Sequence, residues 1–177
     1  GPSLVAQHMT GSGSVKAANY LYNVSPKDGS VIGSVVETLP LFQLVRPKGL
    51  KLDVAKFRVI GRLTHQNNVL MVRSDAPATT IQALKTTQVI LASTGKAAHT
   101  HIYPTLLNEV VGTRFKLVEG YAGSGPSRLA LERGEVHGMT GSWVAWTSQS
   151  KAWLDSKFIT PVMEVGLESA PDMIKGV

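Results

Sequence analysis

The chain has 177 residues, 43% hydrophobic and 17% charged, which is enough for one sizeable domain or two small lobes and too apolar for disorder. It has no cysteine, excluding disulfides, thiolate chemistry and Cys-ligated zinc, and no apolar run long enough to cross a bilayer, so direct membrane insertion is not expected. Its 18 Lys and Arg against 12 Asp and Glu leave a charge of +6, but the basic residues are scattered and only 6% of residues are aromatic, which suits a small anion better than nucleic acid.

The opening "GPSLVAQHMTGSGS" lacks the basic segment and apolar core of a secretory leader, so either the protein is cytosolic or its leader lies outside this chain. Ser3–Gln7 predicts a strand, followed by the small-residue turn "TGSGS" at 10–14. A helix over Val15–Asn23 places Val15, Ala18 and Tyr22 on one face and stops at "SPKDG". Strands are then expected at Val31–Val36, Phe57–Gly61 and Val69–Val72. Residues 80–86 read as a helix with a capping box between Thr79 and Gln82. A strand at Val89–Ala92 leads into the turn "ASTGKAA" and a helix to Val111, with Ile102, Leu106 and Val110 on one face and Gly112 at the C′ position. Pro104 lacks an N–H and should stand among the first three helical residues, so the helix should start near Thr100 or His101. After a strand at Phe115–Glu119 comes the turn "YAGSGPS", then a helix over Ser127–Arg133 with Pro126 in its first turn and Gly134 at its stop. Strands at Val136–Met139 and Phe158–Met163 complete an alternation that argues an α/β protein with mainly parallel strands.

Ligands of such sheets bind outside the carboxyl ends of the strands, where the next helix has free N–H groups. The turns at 10–14, 92–98 and 121–127 are the candidates, since glycine allows close approach and Ser or Thr adds hydroxyls. A phosphate loop at Gly95-Lys96 would need glycine at position 90 and a hydroxyl at 97, where Ile90 and Ala97 stand. "GSGS" is too short for a dinucleotide fingerprint, so no nucleotide cofactor is expected. His99 and His101 would converge on a metal from a strand but diverge at a helix start, and a third ligand such as His137 has no argument behind it. No nucleophile motif surrounds any serine, so there is no positive case for an enzyme. The N–H groups of about residues 99–103 either cradle a carboxylate or are capped by water and Thr100. Trp143 either walls a pocket or, like Trp146 and Trp153, closes a core. Glu132, Arg133 and Glu135 are expected to be solvated.

The segments "VAQHMTGSGSVKAANYLYNVSPKDGSVIG", "STGKAAHTHIYPTLLNEVVGTRFKLVEGYAGSG" and "LALERGEVHGMTGSW" resemble, in that order, the substrate-binding proteins of tripartite tricarboxylate transporters. The resemblance implies a type II periplasmic binding protein whose two lobes, each a mainly parallel sheet flanked by helices, close over a small mono- or dicarboxylate and deliver it to integral-membrane transporter subunits. By position, it places ligand contacts on Ser12 and Gly13, flanked by Gly11 and Ser14, in lobe one. In lobe two it places them on Thr94, Gly95, Ala98, His99 and Thr100, on Gly123 and Ser124, and on Ser142 and Trp143 after Gly141. Where the family usually reads Gly-Ser, this chain has Ala97-Ala98, and Lys96 and His99 occupy variable positions that can supply positive charge instead. The implied lobe one spans residues 1–70 with a return segment at 161–177, and lobe two spans 71–160, with "NVLMV" and "TPVMEV" as paired crossing strands. Lobe one is expected to be incomplete, because the family's first strand and its portion after "APDM" have no counterpart here. Two other readings stay open: the effector-sensing domain of a LysR-type transcription regulator, which shares the architecture, and a hydrolase or metal-dependent lyase using the His99/His101 pair.

Overall fold

The computed structural model describes residues 3–46, 50–62 and 67–168; the part of the expected return segment beyond residue 168 lies outside them. Its centre is one five-stranded sheet of β1 (Asn68–Arg73), β2 (Val89–Ser93), β3 (Phe115–Glu119), β4 (Gly138–Ser142) and β5 (Ile159–Val165), in the order β3-β2-β4-β1-β5. β2 pairs in parallel with both β3 and β4, whereas β1 runs antiparallel to β4 and β5. All strands except β1 therefore point the same way, so the carboxyl ends of β2, β3 and β4 meet the start of β1 along one edge. β1 and β5 are the expected "NVLMV" and "TPVMEV" pair, and Pro161 is tolerated because β5 is an edge strand with a register irregularity opposite Leu70/Met71.

Both faces of the sheet are covered, which explains why β1 and β2 read as unbroken apolar runs. Val69, Met71 and Ala92 face one way and pack with Ala130, Leu131, Met139 and Trp146. Leu70, Val72, Val89 and Leu91 face the other way, against Leu84 and Phe115. The first layer comes from α5 (Ser124–Glu132) and α6 (Trp143–Gln149), and the second from α3 (Ile81–Leu84) and α4 (His99–Val110). Trp146 is fully buried and donates its indole N–H to the Val69 carbonyl at 3.2 Å, so this tryptophan closes the core. A short helix, α7 (Lys151–Asp155), precedes β5. α1 (Val15–Asn23), α2 (Leu39–Val45) and a 3-10 turn at Val54–Lys56 gather a smaller cluster around Ala18, Leu39 and Leu50.

Several local expectations need correction. Ser3–Gln7, Val31–Val36 and Phe57–Gly61 form no strand, and Leu4, Val5, Ile32, Val59 and Ile60 are exposed, since an apolar run becomes a strand only beside a partner for its N–H and C=O groups. Thr80, not Thr79, caps α3, accepting from the Ala83 amide at 3.3 Å. α4 begins at His99, leaving Pro104 inside the helix and buried with Thr100 and Ile102. Leu106 and Val110 of the expected apolar face are exposed, while α4 buries Thr100, Ile102 and Pro104 and packs Leu107 against the second cluster. By contrast, Gly112 (φ +81°) follows the α4 C-cap as expected. Gly134 (φ +75°) closes α5 in a Schellman pattern, its amide bonded to Leu131 and that of Glu135 to Ala130. Glu132, Arg133 and Glu135 are exposed.

Gly138→Ala tests the packing of the central strand. The added Cβ would lie 2.5 Å from the Met71 carbonyl oxygen and 2.8 Å from Leu91 Cδ2, and a sheet backbone cannot yield. We expect a loss of about 1–3 kcal/mol in urea unfolding, with an unchanged m-value.

Candidate functional site

At the sheet edge, three strand ends run into helix starts: β2 into the 94–98 loop and α4, β3 into Gly123 and α5, and β4 into Ser142 and α6. The 94–98 loop is held by its own side chains. The Thr94 amide donates to Thr100 Oγ1 at 3.0 Å, the two threonine hydroxyls pair at 3.0 Å, and the Gly95 amide reaches Ser93 Oγ at 3.3 Å. Thr100 is thus spent on the loop, and Ala98, the N-cap of α4, offers no hydroxyl. The His99 and Thr100 amides are the orphan donors of this helix start. Of the two readings of residues 99–103, side-chain capping by Thr100 is thereby removed.

The Gly-rich turn at 11–14 sits on this loop. Gly11, Ser12, Gly13 and Ser14 all have positive φ, a run that winds the chain tightly into the first turn of α1. A Cβ on Gly13 would lie 2.5 Å from the Ala98 nitrogen, and one on Gly95 would lie 2.5 Å from the Gly13 nitrogen. Backbone therefore meets backbone, and the starts of α1 and α4 converge. Nearby, Thr38 at the start of α2 donates its hydroxyl to the Ala97 carbonyl at 2.5 Å. Gly95, Ala97, Ala98 and Thr100 are buried beneath these contacts, while His99 is half-buried and Lys96 exposed.

The structure thus brings Ser12 and Gly13 against Gly95 and Ala98, with Thr94, His99 and Thr100 in the same loop and helix turn. Gly123, Ser124, Ser142 and Trp143 lie on the same sheet edge, at the flanking strands. Ser124 and Gly141 line a cavity of roughly 20 Å³ with Arg128, Met139, Ala145 and Trp146, room for about one water. The Ser142 hydroxyl caps α6 by accepting from the Ala145 amide at 3.2 Å, and Trp143 packs half-buried against the core.

The two histidines diverge, as expected for residues two apart on a helix. His99 Nδ1 lies 3.2 Å from Glu37 Oε1, and His101 Nδ1 lies 3.2 Å from Glu119 Oε1. His99's proximity holds the Glu37 carboxyl below its usual range, although the approach is poorly aligned for a hydrogen bond. Burial lowers the pKa of His101, Lys96 and Arg46 push the same way, and Glu119 opposes them. Asn68 donates from Nδ2 to Glu37 Oε1 at 3.2 Å. Sequence reading missed Glu37, Thr38 and Asn68, which belong to no motif and reach α4 only through the tertiary fold.

No protein-family profile and no curated protein matches the chain. Solved structures do. A structure of a periplasmic transporter superposes on 93% of this chain with a TM-score of 0.74 at 20% identity. A TctC solute-binding protein from Polaromonas, without ligand, matches 73% of the chain with a TM-score of 0.57 at 21% identity, covering 46% of its own length. An R. palustris protein with adipate matches 61% with a TM-score of 0.51 at 22% identity, covering 36% of its own length. The chain has the fold of periplasmic solute-binding proteins, and it spans 55% of the length of the periplasmic transporter.

Two measurements probe this geometry. His101 is disfavoured as a cation in the folded state, so between its folded pKa and the unfolded value near 6.5 the native protein binds fewer protons than the unfolded chain. Stability should fall as pH drops through that window, and His101→Gln should flatten the dependence in thermal melts between about pH 5 and 7.5. Gly13→Ala combines a backbone clash with a positive φ of 61°. It should cost more than about 1 kcal/mol and speed amide exchange across residues 95–102.

Proposed function

We propose that this chain belongs to a periplasmic solute-binding protein of the tripartite tricarboxylate transporter type, which captures a small mono- or dicarboxylate and hands it to integral-membrane transporter subunits. One observation carries the reading: the starts of α1 and α4, both positive helix ends, meet where the glycine backbone of Gly13 and Gly95 packs against Ser12 and Ala98. Each helix start concentrates roughly half a positive charge. An anion at these two ends would offset their mutual repulsion, and a carboxylate fits the unpaired His99 and Thr100 amides once the turn has lifted.

In this reading the described residues before Met71 belong to one lobe together with residues 161–168, and residues 71–160 form the other, hinged where β1 and β5 pair. The ligand enters when the Ser12–Gly13 turn lifts from the 94–98 loop, and the turn then closes over it. Thr94 and Thr100 stiffen the loop, while Gly123, Ser124, Ser142 and Trp143 border the more distant end of the ligand. The protein binds its ligand without transforming it. The solved TctC protein and the adipate-bound R. palustris protein, both of the same fold, support this reading.

Thermal-shift measurements on the full-length protein against a panel of mono- and dicarboxylates test it. A ligand present at 100 times its Kd should add about 2.7 kcal/mol of stability. No response to any carboxylate at millimolar concentration would overturn it.

A further inference from the structure

We propose that Glu37 and Thr38 form a latch between the lobes: a carboxylate and a hydroxyl from the start of α2 grip the 97–99 segment at the start of α4. The free protein then rests closed, and entry of a solute waits on release of both contacts. This rests on the solute-binding reading above, in which α2 and α4 belong to different lobes.

Thr38 stands at the N-cap of α2, where a threonine hydroxyl ordinarily accepts an amide of its own helix. Here it makes no such bond and instead donates to the Ala97 carbonyl at 2.5 Å, 59 residues away. Thr38 is only 4% exposed and Ala97 wholly buried, so water replaces this bond only when the two segments part. A stabilising cap of α2 is thus given up for a contact between segments. Glu37, the preceding residue, reaches the same place. Its Oε1 lies 3.2 Å from His99 Nδ1 and accepts from Asn68 Nδ2 at the same distance. His99 above all keeps this carboxyl ionised by holding its pKa below the usual range. Asn68, hydrogen-bonded also to the Tyr103 side chain, opens β1, one of the two strands at the hinge. Glu37 therefore joins the hinge strand to α4.

Every partner in these bonds belongs to the chain, and none is one of the His99 and Thr100 amides left for a carboxylate. Latch and ligand therefore act on the closed state independently. Contacts of this kind favour closure by the same factor with or without a solute, so they slow entry and exit alike.

Pulsed dipolar spectroscopy of spin labels on the full-length protein tests the latch without any solute. This chain contributes no competing thiol, so Val24→Cys and Val110→Cys, at the exposed far ends of α1 and α4, put one label on each lobe. The latched protein should show one dominant distance. Thr38→Val keeps the shape of the side chain and removes the hydroxyl, and it should raise the open-to-closed ratio about tenfold, the scale of one buried carbonyl left unpaired. Thr38→Ser should restore the closed distance. Glu37→Gln should shift the ratio the same way by a smaller factor; its side chain is half-exposed, so it decides the matter should Thr38→Val not fold. Distances unchanged in both Thr38→Val and Glu37→Gln overturn the latch. So does equal opening in Thr38→Ser and Thr38→Val, which reveals a distorted α2 rather than a lost hydroxyl. Either result leaves the carboxylate reading to the thermal-shift panel, whose failure in turn leaves the label distances standing.

Discussion

Two helix starts held against each other by side-chain-free backbone are the constraint around which this molecule is organised. Gly13 and Gly95 approach so closely that neither has room for a Cβ, and only the small residues Ser12, Ala97 and Ala98 join them at the contact. The turn at 11–14 reaches it only through a run of left-handed residues. Alignment of peptide dipoles makes both helix ends positive, so the contact concentrates electropositive N–H groups. Lys96 is the exposed cation of this loop, and the neighbouring hydroxyls of Thr94, Thr100 and Thr38 are consumed in holding the loop's shape.

That contact needs a rigid base, which the sheet supplies. Packing on both faces leaves β1 and β2 almost entirely buried, and Trp146 ties α6 to β1 through its bond to the Val69 carbonyl. Because β1 alone runs against the others, its first residue lies among their carboxyl ends. Asn68 thereby enters the site from the one strand whose amino end faces it.

Helix geometry then separates two histidines that share a turn. His99 turns to Glu37, far away in sequence, while His101 turns to Glu119 at the end of β3. Their divergence follows from the 100° step of a helix and leaves no common point for a metal. It also gives the two residues different surroundings: His99 borders the polar cluster with Asn68 and Tyr103, whereas His101 lies beside Glu119 at the end of β3.

The alternation of apolar runs with helix signals determined by itself the α/β class, the positions of α1, β1, β2, β3 and β5, and the glycine stops at 112 and 134, while it started β4 two residues early and α5 three residues late. These are local properties, set by side-chain periodicity and by conformations that only glycine adopts without strain. The same local signal failed at 3–7, 31–36 and 57–61, since strand formation depends on a partner that no window of sequence contains. It misplaced the α4 start for a related reason: contacts with the sheet edge and the 11–14 turn outweighed the preference of Pro104 for the first turn. Small-residue turns marked Gly13, Gly95 and Ala98 as candidates, but only the tertiary structure pressed them together. Glu37, Thr38 and Asn68 carried no local mark at all, because a polar side chain acquires its role from the groups that folding places within hydrogen-bond reach.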